Sequence, residues 1–455
     1  MRCAILTLLL LTGYFFLACD SPHHQKTDAD VPDVDVPDAD VEVPDDGDVI
    51  DVPDFDIPDG WPPRENCQPT PQNGVSIGGM DYFFSTPYTT QGVALSLGES
   101  GNLYYDSGRQ CSYYNNINVW AQEIFQYHLT TKEEKLLVAY PSRQHHPFEY
   151  EGKVFFSSYY VDYQLGAAGN PWAGDPNIWV IENSISRVYT TWCRPGFSCE
   201  EAQISKAGRM LYFEYDPNGS PLLVRMMFHD LNTQETRLID DQHTAPMVRA
   251  IGDRAVFWNY SPCDTFQYYD IARDMVVENP AYNVFAAHAW GKYIAWDNCV
   301  PGGSYVMDVE SGVARILDEE LNLDPNDNQM SIHTGYENLV ALVDRARDVP
   351  EPGTAAHLWL YDLDTRVERR ITAEAAKWTW GGYPIINCEW AIITLMYGKN
   401  GTTIEQYPQA ALNLQQAGIL DENCHLIPGP PVEFTLEEFI TASGFTLTNY
   451  NPLYD

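Results

Sequence analysis

Histidines are the side chains in this 455-residue chain whose types and spacing first suggest chemistry. Several of them stand shortly before short apolar segments that are typical of β-strands. Imidazole nitrogens are common ligands of divalent metals, so histidines gathered at one place could hold a cation. The candidate ligands are His146, His243, His288 and His333.

The spacing of these histidines is uneven. His146, His243 and His288 lie six, nine and three residues before the glycine that opens the next apolar segment, and His333 precedes a segment without that glycine. Ligands from equivalent positions of a repeat should keep a common spacing. Histidines in ordinary surface or capped-loop positions are therefore the alternative interpretation, and no cofactor is predicted beyond Ca²⁺ or another divalent cation.

Other catalytic arrangements find little support. The chain has no Gly-x-Ser-x-Gly elbow, and no phosphate loop or dinucleotide fingerprint stands between a strand and a helix. A carboxylate pair for glycoside hydrolysis stays open, because acidic residues are abundant. The net charge of −38 argues against binding nucleic acid, whose phosphates an acidic surface repels. No catalytic residue is predicted, and whether the chain is an enzyme stays uncertain.

The cysteines predict an oxidising environment. Of ten, Cys3 lies in the leader described below and Cys19 directly follows it, and no Cys-x-x-Cys pair occurs. An even number of remaining cysteines in an exported chain favours disulfides over metal ligation. The disulfide candidates are Cys67, Cys111, Cys193, Cys199, Cys263, Cys299, Cys388 and Cys424.

The pairing of these cysteines can be predicted in part. Cys193 with Cys199 would close a small loop. Cys263 and Cys299 each follow an equivalent strand of neighbouring repeats, so a bridge between them would join two units. The pairs Cys67–Cys111 and Cys388–Cys424, at the two ends of the array, follow only by elimination.

The N-terminus predicts export and lipid anchoring. Residues 1–18 combine an early arginine with an apolar run that ends in small residues, as in a signal peptide. Residues 16–19 (Phe-Leu-Ala-Cys) resemble the bacterial lipobox, although that family usually has leucine where Phe16 stands. The resemblance implies that Cys19 receives lipid and anchors the chain in a bacterial envelope, facing the periplasm or the cell surface. The alternative is an ordinary signal peptide with Cys19 lost or free.

Residues 19–66 predict a disordered tether. Residues 28–59 contain 13 Asp and one Glu in a repeated Asp-Val-Pro-Asp theme, with no Lys or Arg. Frequent proline blocks helix and sheet, and like charges extend the chain. An EF-hand is not predicted, since its twelve-residue ligand pattern is absent.

Residues 67–430 predict a β-propeller, and residues 431–455 a C-terminal segment that packs on it. Strands opened by Gly152, Gly208, Gly252 and Gly291 recur at intervals of 56, 44 and 39 residues, which fits four-stranded blades. Turns with the pattern Asp-x-x-Thr/Ser or a variant follow such strands at residues 229–233, 269–273, 307–312 and 361–365, with weaker copies at 127–131 and 180–183. The expected fold is all-β, a single propeller of six to eight four-stranded blades, with seven preferred.

The repeat resembles that of TolB-type propellers, best at residues 361–365 (Tyr-Asp-Leu-Asp-Thr). The family's Ser-Pro-Asp-Gly turn is mostly missing, and TolB's helical domain has no counterpart. The resemblance implies a binding surface for an envelope protein or a glycan. Some TolB-like propellers, such as the oligogalacturonate lyases, hold a metal at the ring mouth with several histidines. A metal-dependent polysaccharide lyase or a glycoside hydrolase is therefore the alternative function.

Two loops are candidate binding elements. One is long and carries Trp172 and Asp175, and the other carries Trp378 and Trp380, which could stack on sugar rings. Surface variation and packing between blades are the alternatives for these residues. The sequence as a whole predicts a monomeric, membrane-anchored binding or scaffold module.

Overall fold

The computed structural model describes the strands and most turns of one all-β body. Its described residues are 75–77, 80–84, 95–99, 101–107, 123–138, 144–158, 177–183, 185–190, 193, 197–216, 223–242, 246, 248–299, 302–323, 330–344, 357–371, 382–394, 398–399, 403–404 and 408–430.

Thirty strands and one short helix make up this part of the chain. The strands are β1 Val75–Ile77, β2 Met80–Phe84, β3 Leu95–Leu97, β4 Asn102–Ser107, β5 Glu123–His128, β6 Glu133–Val138, β7 Gln144–Tyr150, β8 Lys153–Ser158, β9 Asn177–Glu182, β10 Ile185–Val188, β11 Ser198–Ile204, β12 Arg209–Asp216, β13 Leu223–Asp230, β14 Thr236–Gln242, β15 Val248–Ile251, β16 Ala255–Asn259, β17 Asp264–Asp270, β18 Met275–Trp290, β19 Tyr293–Asn298, β20 Ser304–Asp308, β21 Val313–Ile316, β22 Met330–Tyr336, β23 Leu339–Asp344, β24 His357–Asp362, β25 Glu368–Arg370, β26 Gly382–Ile386, β27 Trp390–Thr394, β28 Gly398–Lys399, β29 Thr403–Ile404 and β30 Pro408–Asn413. The helix is α1, Leu317–Glu320.

Several predicted features lie outside the described residues. They are the signal segment 1–18, the tether 19–66, the C-terminal segment 431–455, the lipidation site Cys19, Cys67, Cys111, His243, Trp172, Asp175, Trp378 and Trp380. No described helix is long and apolar enough to cross a membrane.

The strands form antiparallel meanders. Four sheets have four strands in chain order: β3–β6, β7–β10, β11–β14 and β22–β25. A fifth sheet has the order β1-β2-β30-β27-β26, so the N-terminal β2 pairs with the C-terminal β30 and closes the array. Strands β15–β21 form one seven-stranded sheet, and β28 and β29 form a small separate hairpin.

The repeated aspartates shape the turn between the third and fourth strand of a unit. The carboxylate of Asp362 accepts hydrogen bonds from the backbone N–H groups of Asp364 and Thr365, at 2.9 and 3.1 Å. The same pair of bonds recurs at Asp230, Asp270 and Asp308. The residue four positions after each of these aspartates has a positive φ. The turn chemistry predicted for the Asp-x-x-Thr/Ser pattern is therefore present.

A ring results because the first strands of successive units contact one another in a closed circuit. That circuit runs β3, β7, β11, β15, the second half of β18, β22, β26 and back to β3. Apolar clusters fill the spaces between consecutive units. One of them packs Phe155, Ile178 and Val180 against Met210 and Tyr212 of the next unit. Each unit therefore buries its two apolar faces against its two neighbours, as a propeller requires.

The number of separate blades differs from the prediction. Five sheets of four or five strands stand as separate blades, rather than the six to eight that the repeat spacing predicted. The reason is β18, a continuous 16-residue strand. Its first part pairs with β17, and its second part pairs with β19. Two sequence repeats that should have been separated by a loop are thus joined into one seven-stranded sheet.

The alternation of strand directions gives the ring two faces. The turns that join the first to the second strand, and the third to the fourth, lie on one side, which we call the turn face. The remaining connections lie on the other side, which we call the loop face. The loop face includes the connections around Cys263 and Cys299, and the turn face includes the turns at Gly208 and Glu337.

Three disulfides tie these connections together. Cys193–Cys199 closes a short loop, and Cys263–Cys299 joins the two halves of the seven-stranded sheet on the loop face. Cys388–Cys424 attaches the segment 414–430, which follows β30, to the closing blade. Arg369, which is 7 % exposed, also holds that segment by donating hydrogen bonds to the backbone carbonyls of Gly418, Ile427 and Pro430.

We predict that the Cys263–Cys299 bridge contributes more stability than Cys193–Cys199. Their sequence separations are 36 and 6 residues. Loop-closure entropy gives contributions of about 4 and about 2.5 kcal/mol, respectively. The double variant C263S/C299S should therefore unfold at a lower urea concentration than C193S/C199S. An inverted order would show that chain entropy does not govern the effect of these bridges.

Candidate functional site

The ring centre is built from first strands whose regular pairing is interrupted. The register shifts between His145 and Phe148 in β7, between Glu200 and Gln203 in β11, and between Ile332 and Thr334 in β22. Such β-bulges turn side chains away from the regular alternation and are over-represented next to functional sites. The bulges make the ring centre the candidate functional site.

Two of the bulged residues have left-handed backbone conformations. His146 has φ 53° and Glu201 has φ 57°, which costs about 1 kcal/mol or more for a residue with a side chain. In both cases a hydrogen bond to the preceding unit offsets this conformational cost. The N–H of Glu201 donates to the buried Ser157 hydroxyl at 2.8 Å, and the N–H of His146 donates to Asp106 at 3.4 Å. Because Ser157 and Asp106 occupy the same position in their units, this is a repeated contact between neighbouring units.

Glu201 also binds the unit that follows. Its carboxylate lies 2.5 Å from the Arg249 guanidinium, and both side chains are mostly buried. The guanidinium stacks over the Phe213 ring, 4.5 Å from its centroid. The ion pair and the cation–π contact join two consecutive units at the ring centre, and the Ser157 hydrogen bond to Glu201 links them to a third.

The predicted histidine ligands fall into separate groups. His146 lies against His145, with the two Nδ1 atoms 2.7 Å apart. His288 and His333, on the neighbouring first strands β18 and β22, have ring centroids 6.4 Å apart. Among the described residues, no group of three or more His, Cys, Asp or Glu side chains could hold a metal ion. The ligand set predicted from the sequence includes His243, which lies outside these residues.

His288 is a neutral side chain at physiological pH. Burial lowers its pKa to about 4, although a hydrogen bond to the backbone of Ile332 opposes that shift. The bond connects β18 to the first strand of the next unit. His288 therefore takes part in the contact between units.

A partly buried carboxyl group lies at the same contact. Asp297 accepts hydrogen bonds from the Ser304 hydroxyl at 2.8 Å and from the Ile332 N–H at 3.5 Å. A second carboxylate, that of Asp318, accepts the Ser304 N–H at 2.5 Å. Burial is the main cause that raises the pKa of Asp297 to about 7, and the charge of Asp318 raises it further. Asp297 can therefore exchange a proton near neutral pH.

Lys206 spans the ring on the turn face. Its ammonium lies 2.7 Å from Glu337 and 3.6 Å from Glu99, and it donates to the Tyr336 hydroxyl at 3.0 Å. These partners belong to the units of β22–β25 and β3–β6, whereas Lys206 belongs to the unit of β11–β14. Because Lys206 contacts these two other units, its side chain reaches across the central opening of the ring.

The loop face carries an exposed aromatic residue at the ring centre. Phe285 stands at the register shift between Val284 and Ala286 and is 50 % exposed. The adjacent Asn283 carbonyl accepts the N–H of Cys299, which belongs to the Cys263–Cys299 disulfide. The position of Phe285 is therefore fixed by covalent and hydrogen-bonded neighbours.

Sequence reasoning did not identify most of these residues. Glu201, Arg249, Asp297 and Lys206 acquire their significance from contacts between units that are 30 or more residues apart, and Phe285 from a register shift that the repeat does not predict. One signal was available for Asp297, since Trp296-Asp297-Asn298 and Trp258-Asn259-Tyr260 precede cysteines in equivalent positions.

Comparisons with known proteins find similar solved structures but no matching sequence. No protein-family model matches the sequence, and no curated protein matches it. Similar solved structures include an oligogalacturonate lyase in complex with manganese, at 11 % identity and TM-score 0.45, covering 76 % of this chain and 97 % of that one. TolB from Acinetobacter baumannii shows 14 % identity and TM-score 0.32, with 54 % and 58 % covered.

A third similar structure is the β-propeller domain of the trilobed protease from Pyrococcus furiosus. It shows 11 % identity and TM-score 0.39, with 56 % of this chain and 78 % of that chain covered. The neighbours thus include TolB proteins and other propeller proteins. At these scores they carry no conclusion about activity, and the propeller arrangement rests on the sheet topology described above.

We predict that Asp297 makes stability depend on pH. A carboxyl whose pKa is raised in the folded state stabilises the fold below its unfolded pKa, and this contribution is lost as the pH rises towards 7. The loss is at most about 1.4 kcal/mol per pH unit. Replacing Asp297 by Asn keeps the acceptor oxygen and removes the ionisation. Urea unfolding of both proteins at pH 5, 6, 7 and 8 should show wild type losing stability relative to Asp297→Asn, and a constant difference would contradict the prediction.

Proposed function

We propose that this protein is a lipid-anchored extracytoplasmic binding module, in which the loop face of the propeller binds an envelope protein or a glycan. The observation that carries the proposal is Phe285. A half-exposed aromatic side chain at the centre of a rigid surface is typical of the anchor residues of protein interfaces, and aromatic rings also stack on sugars.

The construction of the ring supports the choice of this face. Lys206 and its partners occupy the centre of the turn face, so a partner meets Phe285 most directly from the loop face. The Cys263–Cys299 disulfide restrains the connections beside Phe285. A surface that is rigid before binding loses less conformational entropy on binding.

The anchor rests on the sequence and on the redox chemistry of the domain. Three disulfides among the described residues are typical of proteins that fold outside the cytoplasm. The lipobox-like residues before Cys19 indicate how such a chain would be retained. The acidic, proline-rich segment would then give the propeller a reach on the order of 100 Å, from about 40 residues at about 3 Å each.

An enzymatic function is the rival outcome. Turnover of a polysaccharide that is lost when His288 or His333 is replaced by Ala would replace the binding proposal with a catalytic one. The bonds of His288 and Asp297 to the neighbouring unit favour binding, since they use these side chains for assembly of the ring.

We predict that a photo-crosslinking amino acid at position 285 will capture a discrete partner in the native host, whereas the same amino acid at position 238 will not. Leu238 is a matched control, because it is also 50 % exposed but lies on the outer strand β14. Phe285→Ser should weaken affinity for the captured partner at least tenfold, and Leu238→Ser should leave it unchanged. Equal capture at both positions would refute the proposal. It would also be refuted if position 285 captured no partner and the protein bound no glycan.

We predict that Cys19→Ser releases the protein from the membrane fraction, because the substituted chain has no thiol to carry lipid. Radiolabelled palmitate incorporated by wild type should be absent from the variant. Cys3→Ser is the control, since Cys3 lies in the predicted leader and should leave anchoring unchanged. Retention of palmitate label by Cys19→Ser would exclude this cysteine as the lipid site.

A further inference from the structure

A cleft of about 360 Å³ lies on the turn face, between the β7–β10 sheet and the next sheet. The cleft is therefore on the opposite face of the ring from the loop-face surface proposed above. Its volume falls within the range of small-molecule sites, about 300–1,000 Å³. The lining residues are Tyr150, Glu151, Lys153, Phe155, Val180, Arg187, Tyr189, Leu231 and Gln234.

The cleft has a small apolar base and an aromatic wall beneath a mostly polar lining. Phe155 and Val180 are 2 % and 1 % exposed, and the Tyr189 ring meets Phe155 edge to face at 5.0 Å. The Tyr189 hydroxyl lies 3.1 Å from Nε2 of His229, whose Nδ1 lies 2.9 Å from the Thr236 hydroxyl. His229 is only 1 % exposed, so its two hydrogen bonds hold the tyrosine in one orientation.

The charged groups of the cleft are balanced. Lys153 lies 3.0 Å from Glu182, and Arg187 lies 3.5 Å from the same carboxylate. Glu182 is not itself a lining residue, so the two cations at the rim are neutralised from beside the cleft, and Glu151 is the carboxylate among the lining residues. These groups and the Gln234 amide supply both hydrogen-bond donors and acceptors around the apolar base.

We propose that this cleft binds a neutral saccharide of one or two sugar units. A sugar offers an apolar ring face that packs on aromatic and aliphatic side chains. Its hydroxyl groups each donate and accept, which matches a rim with both kinds of partner. The charges favour a neutral sugar over an acidic one, because both cations already contact Glu182 and a carboxylate ligand would also meet Glu151.

The test is titration of the full chain with neutral mono- and disaccharides, followed by isothermal calorimetry and compared with the corresponding uronic acids. We expect binding of at least one neutral sugar. Lys153→Met and Gln234→Ala should each weaken it at least tenfold, since both residues lie at the rim. Lys292→Met is the matched control. Lys292 also follows a turn glycine and pairs with a carboxylate, that of Asp308, but both residues belong to a different unit from the one that holds Lys153. It should leave the affinity unchanged.

The outcomes separate this site from the loop face. Sugar binding that survives Phe285→Ser but is weakened by Lys153→Met supports the cleft, whatever partner the loop face has. Three results would overturn the inference. They are sugar binding that survives both cleft variants, binding of uronic acids alone, and no binding of any neutral sugar in the panel. Circular dichroism of each variant distinguishes lost binding from lost folding.

Discussion

The structure depends on one constraint, which is that a four-stranded unit has two apolar faces and too few residues to cover either by itself. Only the neighbouring units can cover them, so burial drives the chain into a closed ring. The apolar cluster that packs Leu211 and Phe213 against Val256 and Trp258 shows the arrangement at one contact. The pairing of β2 with β30 completes it, since the last sheet obtains its outer strands from the beginning of the chain. Most polar side chains at the ring centre are placed by this requirement.

Polar contacts between units determine what those side chains can do. The N–H groups released by the bulges at His146 and Glu201 are bound by Asp106 and Ser157 of the preceding unit. Asp297 binds the following unit in a comparable way. A histidine or carboxylate engaged in such a contact is held in position and loses freedom to move with a ligand. The shifted pKa values of His288 and Asp297 therefore accompany side chains that hold neighbouring units together, and they do not by themselves indicate catalysis.

The sequence predicted those features that short segments determine. The turn aspartates were predictable, because Asp362 and its equivalents bond to backbone two and three residues away. The Cys263–Cys299 bridge was predictable because both cysteines occupy the same position in successive repeats. The continuous β18 was not, since the repeat pattern predicted a loop where residues 279–283 instead extend the strand. The cleft was also not predictable, because its walls come from two units and depend on how closely their sheets approach.

The residues with the clearest potential for binding are departures from the repeat. Positions that recur from unit to unit, such as the turn aspartates of four units, shape the connections between strands and so serve folding. A function specific to this protein must therefore rest on positions that differ between units. Phe285 stands at a register shift opposite Asp297 and Asn298, which are further from the turn glycine of their unit than the residues opposite the shifts of β7 and β11. Tyr189 likewise obtains its orientation from the hydrogen bond between its hydroxyl and Nε2 of His229. Folding and binding are thus assigned to different residues, so substitutions at the loop face and at the cleft can test binding while the ring stays intact.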